Sequence, residues 1–300
     1  MAYIDRKLTV CFTKLMPLQT TREFRIVAAI AALLLSSACA ALQPPNVTGP
    51  RGVDQLYPIR LTEDSQRREA NLAALHRLAQ STGSIGATQP ELQPVTSTIL
   101  SLPDRASGAL QLPKVGAGAV MNEEETRESL RRFIRQWQEL IGSDPAKLSL
   151  VERIDNPDGS KLANYEQRPF RYPIRGNYGK LQIKFTSDRR VLNLTSSCIP
   201  DAERIQSSFS SLGLRPRAEE TIKQLREKGL TYADAAGNRS TFTIAPSTEI
   251  VPRGMTIYVL PSAKTPDTLE FHLAWEMELT NGPVKLAYID PVSGETIATA

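Results

Sequence analysis

Alternation of apolar and polar residues marks one segment near the end of the chain. Between residues 269 and 279 every second residue is apolar, and most of the intervening residues are charged. A strand turns successive side chains to opposite faces, so this period of two predicts a strand with one buried face. Its apolar members are Leu269, Phe271, Leu273, Trp275, Met277 and Leu279. His272 falls on the polar face, where we expect a solvated or lightly paired side chain.

A helical period precedes this strand by more than a hundred residues. From Asn122 to Gly142 apolar residues recur at spacings of three and four, which predicts an amphipathic helix. Asn122 and Glu125 predict a capping box at its start, and Gly142 predicts its end. The apolar stripe consists of Leu130, Phe133, Ile134, Trp137, Leu140 and Ile141. We expect this stripe to cover a sheet.

Shorter strands are predicted after this helix, and a second helix-plus-sheet unit follows them. Two hairpins are indicated by apolar alternation around turn residues, at 148–154 with 162–167 and at 181–185 with 191–195. The second unit begins with a predicted helix at Ala218–Gly229 and continues with strands at 255–260, 269–279 and 284–290. The fold class predicted is therefore α+β, with two helix-plus-antiparallel-sheet units.

Four segments are predicted along the chain. Residues 1–39 are a signal peptide, residues 40–120 a flexible linker, and residues 121–201 and 202–300 the two folded units. The linker is rich in Pro, Gly, Ser, Thr and Gln, and its only helical period is a weak one over Thr62–Gln80. We expect the signal peptide and the linker to be disordered.

The first segment has the pattern of an export signal. Arg22 and Arg25 precede 13 apolar or small residues that end at Ala38. A membrane-spanning helix needs about 20 apolar residues, so this length suits a cleaved signal peptide. The chain is therefore predicted to be exported. Met1 and Met16 both remain open as the start.

Residues 35–39, Leu-Ser-Ser-Ala-Cys, resemble the lipobox of bacterial lipoproteins. The resemblance implies that Cys39 is the lipid attachment residue and that the protein is a membrane-anchored lipoprotein facing the periplasm or the cell surface. The motif departs from the usual pattern because Leu35 lies four residues before the cysteine, where three is usual. The alternative is simple secretion, since Ala38-Cys39-Ala40 also fits an A-x-A cleavage site.

The net charge does not favour a nucleic-acid partner. The chain has a formal charge of +4, and residues 1–39 hold five basic and two acidic residues, so that +3 of the charge lies in the signal peptide. A nearly neutral mature chain has no electrostatic reason to prefer phosphate backbones.

No constellation of residues indicates catalysis or metal binding. The chain has two histidines, His76 and His272, which do not lie one helical turn apart as a His-Glu-x-x-His zinc site requires. It also lacks a Gly-x-Ser-x-Gly elbow and nucleotide-binding glycine loops. We therefore expect no catalytic residue, no metal and no cofactor, and a protein that is not an enzyme. Cys198 is predicted to be a buried, unbridged residue.

Two stretches resemble known modules. Residues 122–201 contain Tyr-Pro-Ile-Arg-Gly at 172–176 and a strand pair ending in Asp-Arg-Arg-Val-Leu-Asn-Leu at 188–194, and they resemble the fungalysin/thermolysin propeptide module. Residues 213–298 resemble the PepSY module, most specifically in Ala-Tyr-Ile-Asp-Pro-Val-Ser-Gly-Glu-Thr-Ile at 287–297. The sequence departs from the propeptide pattern at Arg175 and Arg190, so that its finer contacts are not carried over.

The resemblance implies a stand-alone, propeptide-like binding protein without the metallopeptidase catalytic domain. Its expected partner is a secreted or envelope peptidase, which it would inhibit, chaperone or regulate. Thr296, Ile297 and Ala298 lie where such propeptides meet the active-site cleft, so they are the candidate partner-binding tail.

Two alternatives stay open from the sequence. The chain could be a truncated or split thermolysin-like zinc metallopeptidase precursor, in which case a neighbouring reading frame would encode His-Glu-x-x-His. It could also be a structural envelope lipoprotein that binds another surface partner. The oligomeric state is open as well.

Overall fold

The computed structural model describes residues 57–83, 91–102, 109–118, 120–233 and 237–300. The predicted signal peptide and its Cys39 lie outside these residues. Within them the fold is α+β, as predicted. The helices are α1 (Ser65–Ser81), α2 (Glu123–Gln136), α3 (Gln138–Ile141), α4 (Ala202–Ser211) and α5 (Ala218–Lys228), with a short 3-10 helix at Pro145–Lys147.

The strands form two larger sheets and a hairpin. They are β1 (Ile59–Thr62), β2 (Leu148–Asp155), β3 (Ser160–Gln167), β4 (Ile174–Arg175), β5 (Lys180–Thr186), β6 (Val191–Ser196), β7 (Leu230–Ala233), β8 (Arg239–Phe242), β9 (Ile250–Pro261), β10 (Thr268–Leu279), β11 (Leu286–Ile289) and β12 (Thr296–Thr299). The four-stranded sheet has the order β2-β3-β5-β6, and β7 pairs only with β8.

The four-stranded sheet is covered by the predicted amphipathic helix. Both halves of the capping box at Asn122 and Glu125 are formed, and Gly142 ends the helical segment with a positive φ of 78°. The helix is not continuous, because Trp137 leaves the helical conformation and separates α2 from α3. The whole predicted stripe is buried against the inner residues of the sheet, among them Ile183 and Phe185.

The six-stranded sheet is built around the strand that the alternation predicted. β10 pairs with β9 along its whole length, while β1 and β11 share its other edge. The predicted apolar positions Leu269, Phe271, Leu273, Met277 and Leu279 are all buried. They pack under α4 and α5 in two apolar clusters.

One pairing joins residues from the two predicted units. The short strand β4 lies parallel to β9, with Ile174 opposite Ile257 and Arg175 opposite Tyr258. The Ile257 N–H donates to the Pro173 carbonyl at 2.9 Å. The six-stranded sheet therefore contains a strand from residues 121–201.

Parts of the predicted linker are also built into the fold. β1 pairs with β10, and α1 buries Ala74, Leu75 and Leu78. Ile99 is fully buried, and its N–H donates to the Leu140 carbonyl at 2.9 Å. The described residues of this segment thus differ from the flexible linker we expected. Outside α1, which follows the weak helical period, their apolar residues make single contacts with distant elements, and single contacts leave no period in the sequence.

No helix in the described ranges is both long and apolar enough to cross a bilayer.

Candidate functional site

The polar residues of β10 lie on one face of the six-stranded sheet. Glu270, His272 and Glu276 alternate with the buried apolar positions, so their side chains point to the opposite side. Cross-strand partners share a face, which adds residues from the neighbouring strands. We define the outer face by Arg60, Arg175, Tyr258, Glu270, His272, Glu276, Tyr288 and the adjoining Asp290.

Asp290 is the centre of a hydrogen-bond network at one end of this face. Its residue exposure is only 3%. Its Oδ2 accepts a bond of 2.8 Å from the Tyr57 hydroxyl and lies 2.9 Å from His272 Nδ1. Its Oδ1 accepts from the backbone N–H groups of Val292 at 2.8 Å and Ser293 at 3.3 Å. One buried carboxylate thus ties β1, β10 and the β11–β12 turn together.

The Tyr57 hydroxyl stays protonated in this network. Burial, and then the neighbouring charge of Asp290, raise the pKa of Tyr57 well above its usual value. The hydroxyl oxygen also accepts the Leu273 N–H at 3.1 Å. Tyr57 therefore acts as a structural donor rather than as a proton-transfer group.

His272 is held between two carboxylates. Its Nδ1 faces Asp290, and its Nε2 lies 3.7 Å from Glu270 Oε2. Glu270 in turn accepts from Arg60 at 3.3 Å and from the Ser262 hydroxyl at 3.0 Å. We predicted a solvated or lightly paired histidine, and the structure shows one that is mostly buried and paired on both sides. Because both nitrogens face carboxylates, the position of the ring is fixed.

The other half of the outer face combines aromatic rings with an ion pair. Arg175 Nε donates to Glu276 Oε2 at 2.8 Å, and the rings of Tyr258 and Tyr288 lie 4.8 Å apart. The Arg175 side chain is 37% exposed. Tyrosine and arginine are enriched at the centres of protein interfaces, so this half has the composition of a binding surface.

The candidate tail residues form an edge strand beside this face. Thr296, Ile297 and Ala298 belong to β12, and Ala298 lies opposite Tyr288. Ala300 and Leu286 exchange backbone bonds of 2.9 Å, so Thr299, the next residue inward, turns its N–H and C=O away from β11. The Thr231 N–H bonds the Thr296 hydroxyl at 3.3 Å, which places β7 beside the start of β12. The residues of the candidate partner-binding tail are therefore partly exposed members of a sheet.

A separate cleft of about 820 Å³ lies among α1, the α2–α3 junction and α4. Its charged residues are largely paired with one another, as Arg67 with Asp201 at 2.6 Å and Lys147 with Glu203 at 2.9 Å. Such internal pairing leaves little charge to select a ligand.

The described residues contain no group of three or more histidine, cysteine or carboxylate side chains that could hold a metal ion. Cys198 is fully buried and unbridged, as predicted.

The sequence named the residues of β12 as a candidate contact but predicted neither the strand nor the network beside it. Tyr57 and Asp290 are 233 residues apart, and Tyr57 stands in the segment predicted as a linker. The available signal was the turn that follows Asp290, which does not identify the partners of that carboxylate.

A scan against protein-family models matched none of them, and a search of curated proteins gave no match.

Proposed function

We propose that this chain is a non-catalytic envelope protein, lipid-anchored through Cys39, that binds and regulates a secreted or envelope peptidase. Support comes from the resemblance to propeptide modules and from the α+β architecture. The observation that carries the proposal is the edge strand β12, which borders a face of arginine and tyrosine residues.

The proposed contact is an edge pairing reinforced by side chains. Thr299 offers an N–H and a carbonyl that β11 does not use, and such groups accept a strand from a partner. Arg175 and the partly exposed Tyr258 lie on the sheet face that adjoins this edge, with the buried Tyr288 packed against Tyr258. They would add buried contact area and hydrogen bonds to an incoming peptidase surface.

Affinity capture tests the proposal. The full chain, tagged after residue 300 and expressed in its own envelope, is purified under mild conditions. We expect a peptidase to co-purify, and we expect its activity to rise when the complex is dissociated. Capture of envelope material without any peptidase would support the structural-lipoprotein alternative instead.

Paired variants locate the contact on this chain. Arg175→Ala together with Tyr258→Ala removes side chains that are at least partly exposed on this face, and we expect at least tenfold less captured peptidase. Arg215→Ala, which changes a residue outside the outer face, is the control. Equal recovery with both variants would exclude the outer face as the binding surface.

A further inference from the structure

A second surface with its own chemistry lies between α2 and β2, away from β12. It is a groove of about 390 Å³. Its apolar lining consists of Ile134, Pro145, Leu148, Leu150 and the ring of Tyr165, and its charged residues are Arg127 and Arg131. An apolar floor with a cationic rim fits a ligand that has apolar side chains and an anionic group.

Tyr165 contributes a hydroxyl without a partner. The residue is only 9% exposed, yet its hydroxyl makes no hydrogen bond with any residue that the structure describes. Burial raises the pKa of Tyr165 to about 12, so the group is a donor at neutral pH. The hydroxyl oxygen is not enclosed and keeps contact with solvent at the groove, so it is available to a ligand acceptor.

The guanidinium groups beside it carry excess positive charge. Glu123 pairs with both Arg127 and Arg153, and Glu128 pairs with both Arg131 and Arg132. Arg153 also lies 3.8 Å from Asp155, so these four guanidinium groups share three carboxylates. A further carboxylate at the groove would be attracted by this excess and would give Tyr165 its acceptor.

The third wall of the groove is an open strand edge. β2 ends the order of its sheet, so no described strand pairs with its outer side. Arg168 N–H donates to the Lys147 carbonyl at 2.8 Å, and alternation along the ladder then turns the N–H and C=O of Leu150 away from β3. Leu150 and its neighbour Val151 are also exposed, at 38% and 46%.

These observations together specify an occupant. We propose that the groove between α2 and β2 binds an extended peptide segment that carries a carboxylate side chain, which adds as a strand to β2 and places its carboxylate against Tyr165, Arg127 and Arg131. The peptide backbone would use the free groups of Leu150, and its apolar side chains would cover Leu148, Leu150 and Ile134. This site is independent of the peptidase contact proposed above.

The first experiment measures the carboxylate contact by fluorescence anisotropy on the full chain. The probe is a labelled, acetylated and amidated seven-residue peptide, Thr-Val-Thr-Glu-Thr-Val-Thr, with a version that carries glutamine in place of glutamate. We expect the glutamine peptide to bind about tenfold more weakly, because a charge-assisted hydrogen bond is lost. Tyr165→Phe should weaken the glutamate peptide by a similar factor and leave the glutamine peptide unchanged.

Tyr165→Phe is a mild change, because it deletes a hydroxyl that has no partner within the described residues. Tyr178→Phe is the matched control, since Tyr178 packs on a different apolar cluster. If both peptides bind alike, or if Tyr165→Phe and Tyr178→Phe behave alike, the proposed carboxylate site is wrong. Absence of binding at millimolar peptide also overturns it.

The second experiment tests the added strand. Two versions of the glutamate peptide are used. One is N-methylated at every second residue, and the other is N-methylated at the remaining residues. Because a strand turns alternate N–H groups to opposite edges, we expect one methylated peptide to lose binding and the other to bind like the parent. Equal affinity of the two methylated peptides would contradict strand addition to β2.

Discussion

At the scale of single residues, Asp290 has the largest structural role on the outer face. Its carboxylate accepts bonds from Tyr57, Val292 and Ser293 and pairs with His272 while almost fully buried. Removing it would leave several donors without an acceptor. Tyr57 contributes one of those bonds and can be tested separately.

We expect Asp290→Ala to lower the free energy of unfolding by about 3 kcal/mol, because buried donors lose their partner. Tyr57→Phe should lower the free energy of unfolding by about 1 kcal/mol, the usual net contribution of one hydrogen bond. Urea denaturation of both variants checks this order. Equal losses would mean that the carboxylate is not the shared acceptor.

Cys198 predicts a pH dependence of stability. Burial raises the pKa of its thiol from 9.0 to about 12, and the hydrogen bond with Ser196 only partly opposes this. The unfolded thiol ionises near pH 9 while the folded one does not, so its stabilising contribution is full below about pH 9 and is lost towards pH 12. Raising the pH through this window should therefore destabilise the fold.

The matched variant is Cys198→Ala, which lacks the titrating group. Between about pH 9 and about pH 11 we expect the unfolding free energy of the wild type to fall more steeply than that of Cys198→Ala. Parallel curves would show that the thiol ionises equally in both states.

The environment of a single residue was predictable from the sequence where burial alone determines it. A lone cysteine after a strand was predicted to be buried, and Cys198 is. It did not anticipate His272, because the two carboxylates beside it come from its own strand and from a turn 18 residues later. Polar alternation shows which face a side chain occupies but not whether that face is paired.

At the scale of elements, the start of α2 is the best-specified feature. The Asn122 side chain accepts the Glu125 N–H at 2.9 Å, and the Glu125 carboxylate accepts the Asn122 N–H at 3.0 Å. Both bonds follow from residue types at a spacing of three. The cap therefore fixes where the helix begins and sets the position of its arginines along the groove.

Asn122→Ala should reduce stability by about 1 kcal/mol, the usual value of an N-cap. Glu124→Ala, an exposed change in the same first turn, is the control. It should reduce stability by less than about half of the loss expected for Asn122→Ala. Thermal unfolding of the two variants distinguishes them. A loss as large for Glu124→Ala would show that first-turn charge, rather than the cap, stabilises the helix.

Elements with a clear period were predictable, and several short ones were not. The strands β2, β3, β5, β6 and β10 and the helix α5 lie where the pattern predicted them. The short strands β1, β4 and β12 have two to four residues each, too few for a period to be recognised. Their position depends on partners far away in the sequence. For example, β1 is positioned by its pairing with β10.

At the scale of the whole molecule, two strand pairings join segments that the sequence separated. β4 connects residues 121–201 to β9, and β1 connects the predicted linker to β10. The pattern predicted each sheet with its covering helix, but it did not predict these two strand pairings. Both are short contacts between distant parts of the chain, and no local propensity encodes them.

The pairing of β4 with β9 is sensitive to a methyl group added at Gly176. Its φ is 90°, and an added Cβ would lie 2.6 Å from the Val259 carbonyl oxygen. We expect Gly176→Ala to lower stability by about 3 kcal/mol, through backbone strain and this clash. Hydrogen exchange should speed up in β9 and β10 as well as around Gly176.

Gly213→Ala is the matched control, because Gly213 has a φ of 61° but open space at its Cβ position. Gly213→Ala should lower the free energy of unfolding by about 1 kcal/mol, through backbone strain alone. If the two substitutions are equally destabilising, the close approach of β4 to β9 does not contribute.

We propose that this protein regulates a peptidase and does not cleave peptide bonds itself. The most direct measurement is the peptidase activity of an envelope extract, titrated with the purified full chain. We expect a saturable change in activity that is reduced in Arg175→Ala/Tyr258→Ala, with no hydrolysis by the chain alone. An unchanged extract, or chelator-sensitive hydrolysis by the purified chain, would contradict it.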